Sequence, residues 1–122
     1  MISPNVKEYV VDNGNSEYCS LDGVVYTKDM SKLIQYPIAK EQETFVFPQS
    51  VKSISPNAFY GSQIKKVVLP NDITEISASA FSDCMLEEIS IPNSVTKIEE
   101  FAFSRTKLET IILPEGITEI PY

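Results

Sequence analysis

From about Thr44 to its last residue the sequence repeats every 22 residues, and this period constrains the fold more than any other feature. Pro48, Pro70, Pro92 and Pro114 keep the step, as do Phe59, Phe81 and Phe103, each directly preceded by alanine. Ile54, Ile76, Ile98 and Ile120 recur in phase, and so do Val51, Ile73, Val95 and Ile117. Just upstream of each proline stand the pairs Phe45/Phe47, Val67/Leu69, Ile89/Ile91 and Ile111/Leu113. A unit this short cannot bury its apolar face alone, so successive copies must stack, coil on coil, into a solenoid.

Each copy can be read residue by residue. Strand alternation in Lys66-Val67-Val68-Leu69 puts Val67 and Leu69 on one face and Lys66 and Val68 on the other. The repeat says which face is inside. Positions 45, 67, 89 and 111, and 47, 69, 91 and 113, are apolar in every copy, whereas Thr44, Lys66, Glu88 and Thr110 are not. The proline then ends the strand and a polar pair makes the turn. A second extended piece is expected at Val51–Ile54, Ile73–Ile76, Val95–Ile98 and Ile117–Ile120. Its outward positions stack Thr74, Thr96 and Thr118 in one row and Ser53, Glu75, Lys97 and Glu119 in the next. Lys65/Glu87 and Lys66/Glu88 pair charges between neighbouring copies, devices that fix register more than stability. The Ala-Phe pair is expected in a short helical turn on the third side, with the phenylalanines stacked in a buried column.

Residues 1–43 lack the clean period. Val6, Tyr9 and Val11 repeat the spacing of Ile64, Val67 and Leu69, which predicts a strand at Glu8–Val11 in an atypical first repeat. Two β-type runs, Val24–Thr27 and Leu33–Tyr36, flank Lys28-Asp29-Met30-Ser31-Lys32 and predict a β-hairpin extending this cap. The expected organisation is one continuous domain: residues 1–43 as the cap, residues 44–122 as three full repeats and one partial. The fold class is α/β, parallel strands alternating with short helical turns.

Chemistry is sparse. The chain has no histidine, no glycine-rich phosphate loop and no metal-ligand cluster, and Cys19 and Cys84 suit neither a metal nor a redox motif. Glu87/Glu88 and Glu99/Glu100 are paired carboxylates on a surface where charges are normally just solvated. No catalytic, cofactor or metal residue is assigned, and the chain is read as a non-enzyme. A net charge of −7 without a basic patch disfavours nucleic acid and anionic membranes. No stretch approaches the roughly 20 apolar residues that span a bilayer, so membrane insertion is not expected. The N-terminal Met1-Ile2-Ser3-Pro4 lacks the layout of a secretory signal. The break partway through the fourth repeat favours a piece of a longer protein.

The pattern Leu86-x-x-Ile89-x-Ile91-Pro92-x-x-Val95-x-x-Ile98-x-x-x-Ala102-Phe103 resembles the BspA-like leucine-rich repeat, over residues 44–122. The stretch from Asn15 through Tyr18, Asp22-Gly23-Val24-Val25-Tyr26 and Lys28 to Tyr36-Pro37 resembles the variant unit that interrupts such repeats. Gln42 departs from the pattern where an apolar residue would open the second unit, and a cysteine after Ala-Phe appears only as Cys84. The resemblance implies a right-handed solenoid of a cell-surface or secreted protein, with roles in adhesion to host matrix proteins or to other cells. It brings no catalytic residues.

A candidate protein-binding face follows from the alternation. The outward strand positions Val46, Val68, Ser90 and Ile112 form a mostly apolar row beside Thr44, Lys66, Glu88 and Thr110, on the strand-lined, concave side that solenoids commonly use. The alternative is that these residues serve strand propensity alone and the chain is a structural spacer. End-to-end self-association through an open fourth repeat is a further expectation.

Overall fold

The computed structural model describes residues 3–120; residues 121–122 of the last repeat lie outside them. In chain order the strands are β1 (Tyr18–Leu21), β2 (Val24–Thr27), β3 (Lys32–Gln35), β4 (Thr44–Val46), β5 (Ser53–Ile54), β6 (Lys66–Val68), β7 (Glu75–Ile76), β8 (Glu88–Ser90) and β9 (Lys97–Ile98). They form three sheets, ordered β1-β2-β3-β5, β4-β6-β8 and β7-β9. Everything after β3 pairs in parallel, with one coil per repeat.

The cap is an antiparallel meander. β1 and β2 meet across the two-residue turn Asp22-Gly23, whose φ angles of 50° and 82° are those of a type I′ hairpin. Glycine is required at the second position for a further reason: a Cβ there would lie 2.8 Å from Glu8 Cβ. The β2–β3 hairpin expected from the sequence is present. Its turn is tied by Asp29, which accepts hydrogen bonds from the Ser31 hydroxyl at 2.7 Å, the Thr27 hydroxyl at 2.9 Å and the Ser31 amide at 3.0 Å.

The predicted strand at Glu8–Val11 does not form. This segment lies against the β1–β2 hairpin without joining its sheet, linked by Tyr9 N–H to Gly23 C=O at 2.9 Å and Val11 N–H to the Ser20 hydroxyl at 2.9 Å. The unit that joins the cap to the solenoid is β3, which pairs with β5 so that Leu33 faces Ile54.

The third side of each coil is a run of tight turns, and among the described residues it contains no helix. Its hydrogen bonds explain why. The amides of Ala58, Tyr60 and Ser62 close turns on the carbonyls three residues back, while those of Asn57, Phe59 and Gly61 reach the next coil's Ala78, Ala80 and Ser82 carbonyls at 3.3, 2.8 and 3.1 Å. The following coil repeats this with Ser79, Phe81 and Asp83 donating to Glu100, Ala102 and Ser104. An α-helix directs its N–H groups along its own axis; here alternate ones stitch coil to coil. The geometry needs left-handed residues, which recur at Asn57, Ser79 and Phe101 and at Gly61, Asp83 and Arg105.

The core is a column of rings. Phe59 and Phe81 stack at 4.8 Å, Phe81 and Phe103 at 5.7 Å with planes 7° apart. Tyr36 extends the column into the cap, 4.8 Å from Phe59, and its amide bonds to Ala58 C=O at 2.8 Å. Between β5 and β7 the buried Ser77 hydroxyl reaches the Ile54 carbonyl at 2.5 Å.

The fourth coil departs from expectation. Positions 110–112 are not a strand, and Ile111 and Leu113, read as core, are each 37% exposed. On this side the coil is held by Lys107 N–H to Leu86 C=O at 3.0 Å, and the chain beyond leaves β8 unpaired on its outer edge. The turn Pro114–Ile117 forms, but no strand follows it at 117–120.

Candidate protein-interaction surface

The sheet β4-β6-β8 carries the predicted face. Register aligns Thr44, Lys66 and Glu88 in one row and Val46, Val68 and Ser90 in another. Phe45 and Val67 between them are buried in the core, and Ile89 packs against its open end. The outer face follows from alternation about the single inward residue of each strand, Phe45, Val67 and Ile89. Val46 is 60% exposed, a β-branched side chain presented to solvent at the sheet's edge, whereas Val68 in the middle strand is half-buried. Lys66 Nζ lies 3.0 Å from a Glu88 carboxylate oxygen, the charge pair expected between copies. Thr110 and Ile112 do not join this sheet; Ile112 is 80% exposed in the unpaired fourth coil.

Other charges sit differently from expectation. Lys65 turns back to Glu43 at 3.8 Å instead of toward Glu87. Glu75 and Lys97 are register partners in β7-β9, yet Lys97 pairs within its own coil with Glu99 at 3.4 Å. Lysine reaches several carboxylates from one backbone position, so register alone does not choose among them.

A charge pair that sequence reading missed lies on the third side. Arg105 grips the Asp83 carboxylate with both Nε and a terminal nitrogen, the latter at 2.9 Å. This guanidinium, with a hydrogen bond from Tyr60, holds the Asp83 carboxyl below the usual carboxylate range. The signal was present as residues 22 apart, Gly61, Asp83 and Arg105, at the left-handed position of successive coils.

Of the carboxylates weighed as acid/base groups, Glu88 and Glu99 are engaged structurally. Glu88 holds Lys66, and Glu99 accepts from the Ala78 amide at 3.0 Å while meeting Lys97. Cys19 is half-buried and Cys84 buried, both as free thiols; burial pushes the Cys84 thiol up, and its Sγ lies 3.0 Å from Phe81 C=O. Among the described residues no group of three or more cysteine, aspartate or glutamate side chains converges to hold a metal ion. Among the described residues there is no helix long and apolar enough to cross a membrane.

Comparisons with known proteins fit this geometry. No curated protein sequence matches the chain. Among solved structures, the pneumococcal vaccine antigen PcpA superposes with a TM-score of 0.86 and 38% identity, over 91% of this chain and 28% of its own. A leucine-rich repeat protein of T. pallidum superposes with a TM-score of 0.59 and 25% identity, over 77% of this chain and 48% of its own. The chain thus spans less than half the length of either relative. The model of the BspA type leucine-rich repeat region matches residues 36–122 in six copies, beginning at the Tyr36 that starts the aromatic column. The chain belongs to the BspA type leucine-rich repeat family.

Proposed function

We propose that this chain is a non-catalytic protein-interaction module of the adhesion type, part of a surface or secreted protein, and that it meets its partner with the outer face of β4-β6-β8. The observation that carries this reading is the exposed, in-register array of Val46, Val68 and Ser90 beside Thr44, Lys66 and Glu88. Aliphatic residues on two of the three aligned strands, Val46 and half-buried Val68, with Ser90 on the third and one ion pair beside them, give a partner a small apolar centre with a polar border. Such a centre and border are the usual layout of a protein interface. The buried rings, by contrast, are fully used in holding the coils together.

The family membership supports an interaction role, and the pneumococcal relative is a vaccine antigen, a description consistent with surface display. Host matrix proteins such as fibronectin are the partners that the resemblance suggests. The test is immobilised-chain interferometry against fibronectin and fibrinogen, with a Val68→Lys, Ser90→Lys variant alongside. Saturable binding lost in the variant, with far-ultraviolet circular dichroism unchanged, is the expected outcome. Undiminished binding by the variant would move the site off this face, and no binding by either form would favour a spacer role.

A further inference from the structure

We infer that the free edge of β4 takes up an extended peptide segment of a partner by strand addition, with an aliphatic side chain in the adjoining cavity and a basic one at Asp22. This inference rests on the interaction reading above and gives the partner's local form. Hydrogen bonds between β4 and β6 run through alternate residues. The Glu43 carbonyl accepts from the amides of Lys65 and Lys66, each at 2.9 Å, and the Phe47 amide donates to Val68 C=O at 3.0 Å. Successive strand residues direct their main-chain groups to opposite sides, so those of Thr44 and Val46 face away from β6. β4 is the terminal strand of its sheet, and among the described residues no strand pairs on that side.

The cap treats the two sides of the first coil differently. It closes one ladder, since β3 pairs with β5. Over β4 it leaves a cavity of about 240 Å³ between the β1–β2 turn and the strand, lined by Leu21, Asp22, Val24, Tyr26, Val46 and Pro48 among others. Small-molecule pockets run from about 300 to 1,000 Å³, so this space suits one side chain of a longer ligand. Its lining is mixed: Leu21, 47% exposed, and Val46, 60% exposed, offer apolar surface, and Lys40, Gln42 and Thr44 offer polar groups beside them. At the rim the Asp22 carboxylate takes part in none of the ion pairs among the described residues. The Lys40 ammonium is fixed on the Asp22 carbonyl at 2.9 Å. An unpaired carboxylate on a chain of net charge −7 selects a cationic neighbour. Unpaired edge groups supply affinity through the main chain, and the cavity and Asp22 supply side-chain preference, which is the logic of β-augmentation.

The test uses a fluorescein-labelled octapeptide alternating lysine and valine, read by fluorescence anisotropy against the whole chain. The comparison ligands are a glutamate–valine octapeptide and the lysine–valine peptide N-methylated at every second residue. Saturable binding of the first peptide is expected. N-methylation, which removes the peptide's donors to the edge, should weaken it about tenfold or more. Asp22→Asn should weaken it about twofold to fivefold, the glutamate peptide should bind less tightly, and Leu21→Lys with Val46→Lys should abolish binding. Slowed amide exchange at Thr44 and Val46 in the complex is the independent readout. Equal binding of the N-methylated peptide would mean simple attraction to an acidic chain and would overturn the inference, as would no binding of any peptide. The Val68→Lys, Ser90→Lys variant should bind the peptide normally. Matrix-protein binding without peptide binding would therefore sink this inference alone, and peptide binding without a matrix-protein partner would sink the earlier reading alone.

Discussion

Phe81→Ala should be far more damaging than Phe103→Ala, and its cost can be worked from the column. Phe81 is fully buried between Phe59 at 4.8 Å and Phe103 at 5.7 Å. A buried aromatic side chain removes about 150 to 250 Å² from water, which at about 25 cal/mol per Å² is ~4 to 6 kcal/mol for the whole side chain. Alanine keeps part of that, but the cavity left between two rings adds a term, so the net expectation is ~3 to 5 kcal/mol. Phe103 is only half-buried and stacks on one ring of the column. Phe103→Ala should accordingly cost about half as much. Equilibrium unfolding in urea, followed by circular dichroism, reads both. With an m-value of about 2 kcal/mol per molar, Phe81→Ala should lower the midpoint by roughly 2 M and Phe103→Ala by roughly 1 M. Equal midpoints for the two variants would refute the claim that the rings act as a stacked column with one weak end.

Further predictions concern the ends and the turns. Tyr36→Phe removes the hydroxyl bonded to Gln42 Oε1 at 2.7 Å while keeping the ring; it should cost ~1 kcal/mol in the same urea titration, and an unchanged midpoint would show that the bond is not formed in solution. Phe101 holds a left-handed φ of 58°, whereas the equivalent position of an earlier coil is Asn57 at 64°. Asparagine tolerates this region far better than a bulky side chain, so Phe101→Asn should raise stability by ~0.5 to 1 kcal/mol, and a fall in midpoint would count against the turn geometry. Asp83 has a lowered pKa in the folded chain, so its contribution is present above the unfolded value near 3.8 and is lost as pH falls through the lower folded value. Arg105→Gln should flatten the stability–pH curve below about pH 4; an acid limb identical to the wild type would remove the pair from the account. Burial, with a contribution from Asp22, pushes the Tyr26 phenol up to about 12. Tyr26 should therefore stay unionised in a spectrophotometric titration through pH 11, provided the fold persists.

The solenoid was legible because its cause is periodic. Every core position from Phe45 to Ile98 recurs in phase, and the period itself implies parallel stacking. What escaped the sequence was set by contacts that no period announces. The third side looked helical because Ala-Phe sits in short polar-flanked stretches. The decisive quantity was where alternate amides go, and they go to the next coil. The strand at Tyr18–Leu21 was missed although Asp22-Gly23 marks its hairpin, since the run is short and half-polar. Of the candidate face, the six positions on β4, β6 and β8 were readable from alternation. Thr110 and Ile112 were placed by extrapolating the period into a coil that does not pair there. The cavity beside β4 arises from the cap's geometry, which residues 1–43 do not encode as a repeat.

The most direct test of the interaction account is hydrogen–deuterium exchange of the chain with and without a bound protein partner. The account predicts slowed exchange at Thr44–Val46, Lys66–Val68 and Glu88–Ser90, with Glu75–Ile76 and Lys97–Ile98 unchanged. Protection confined to the β7-β9 side, with the three outward strands unaffected, would contradict it.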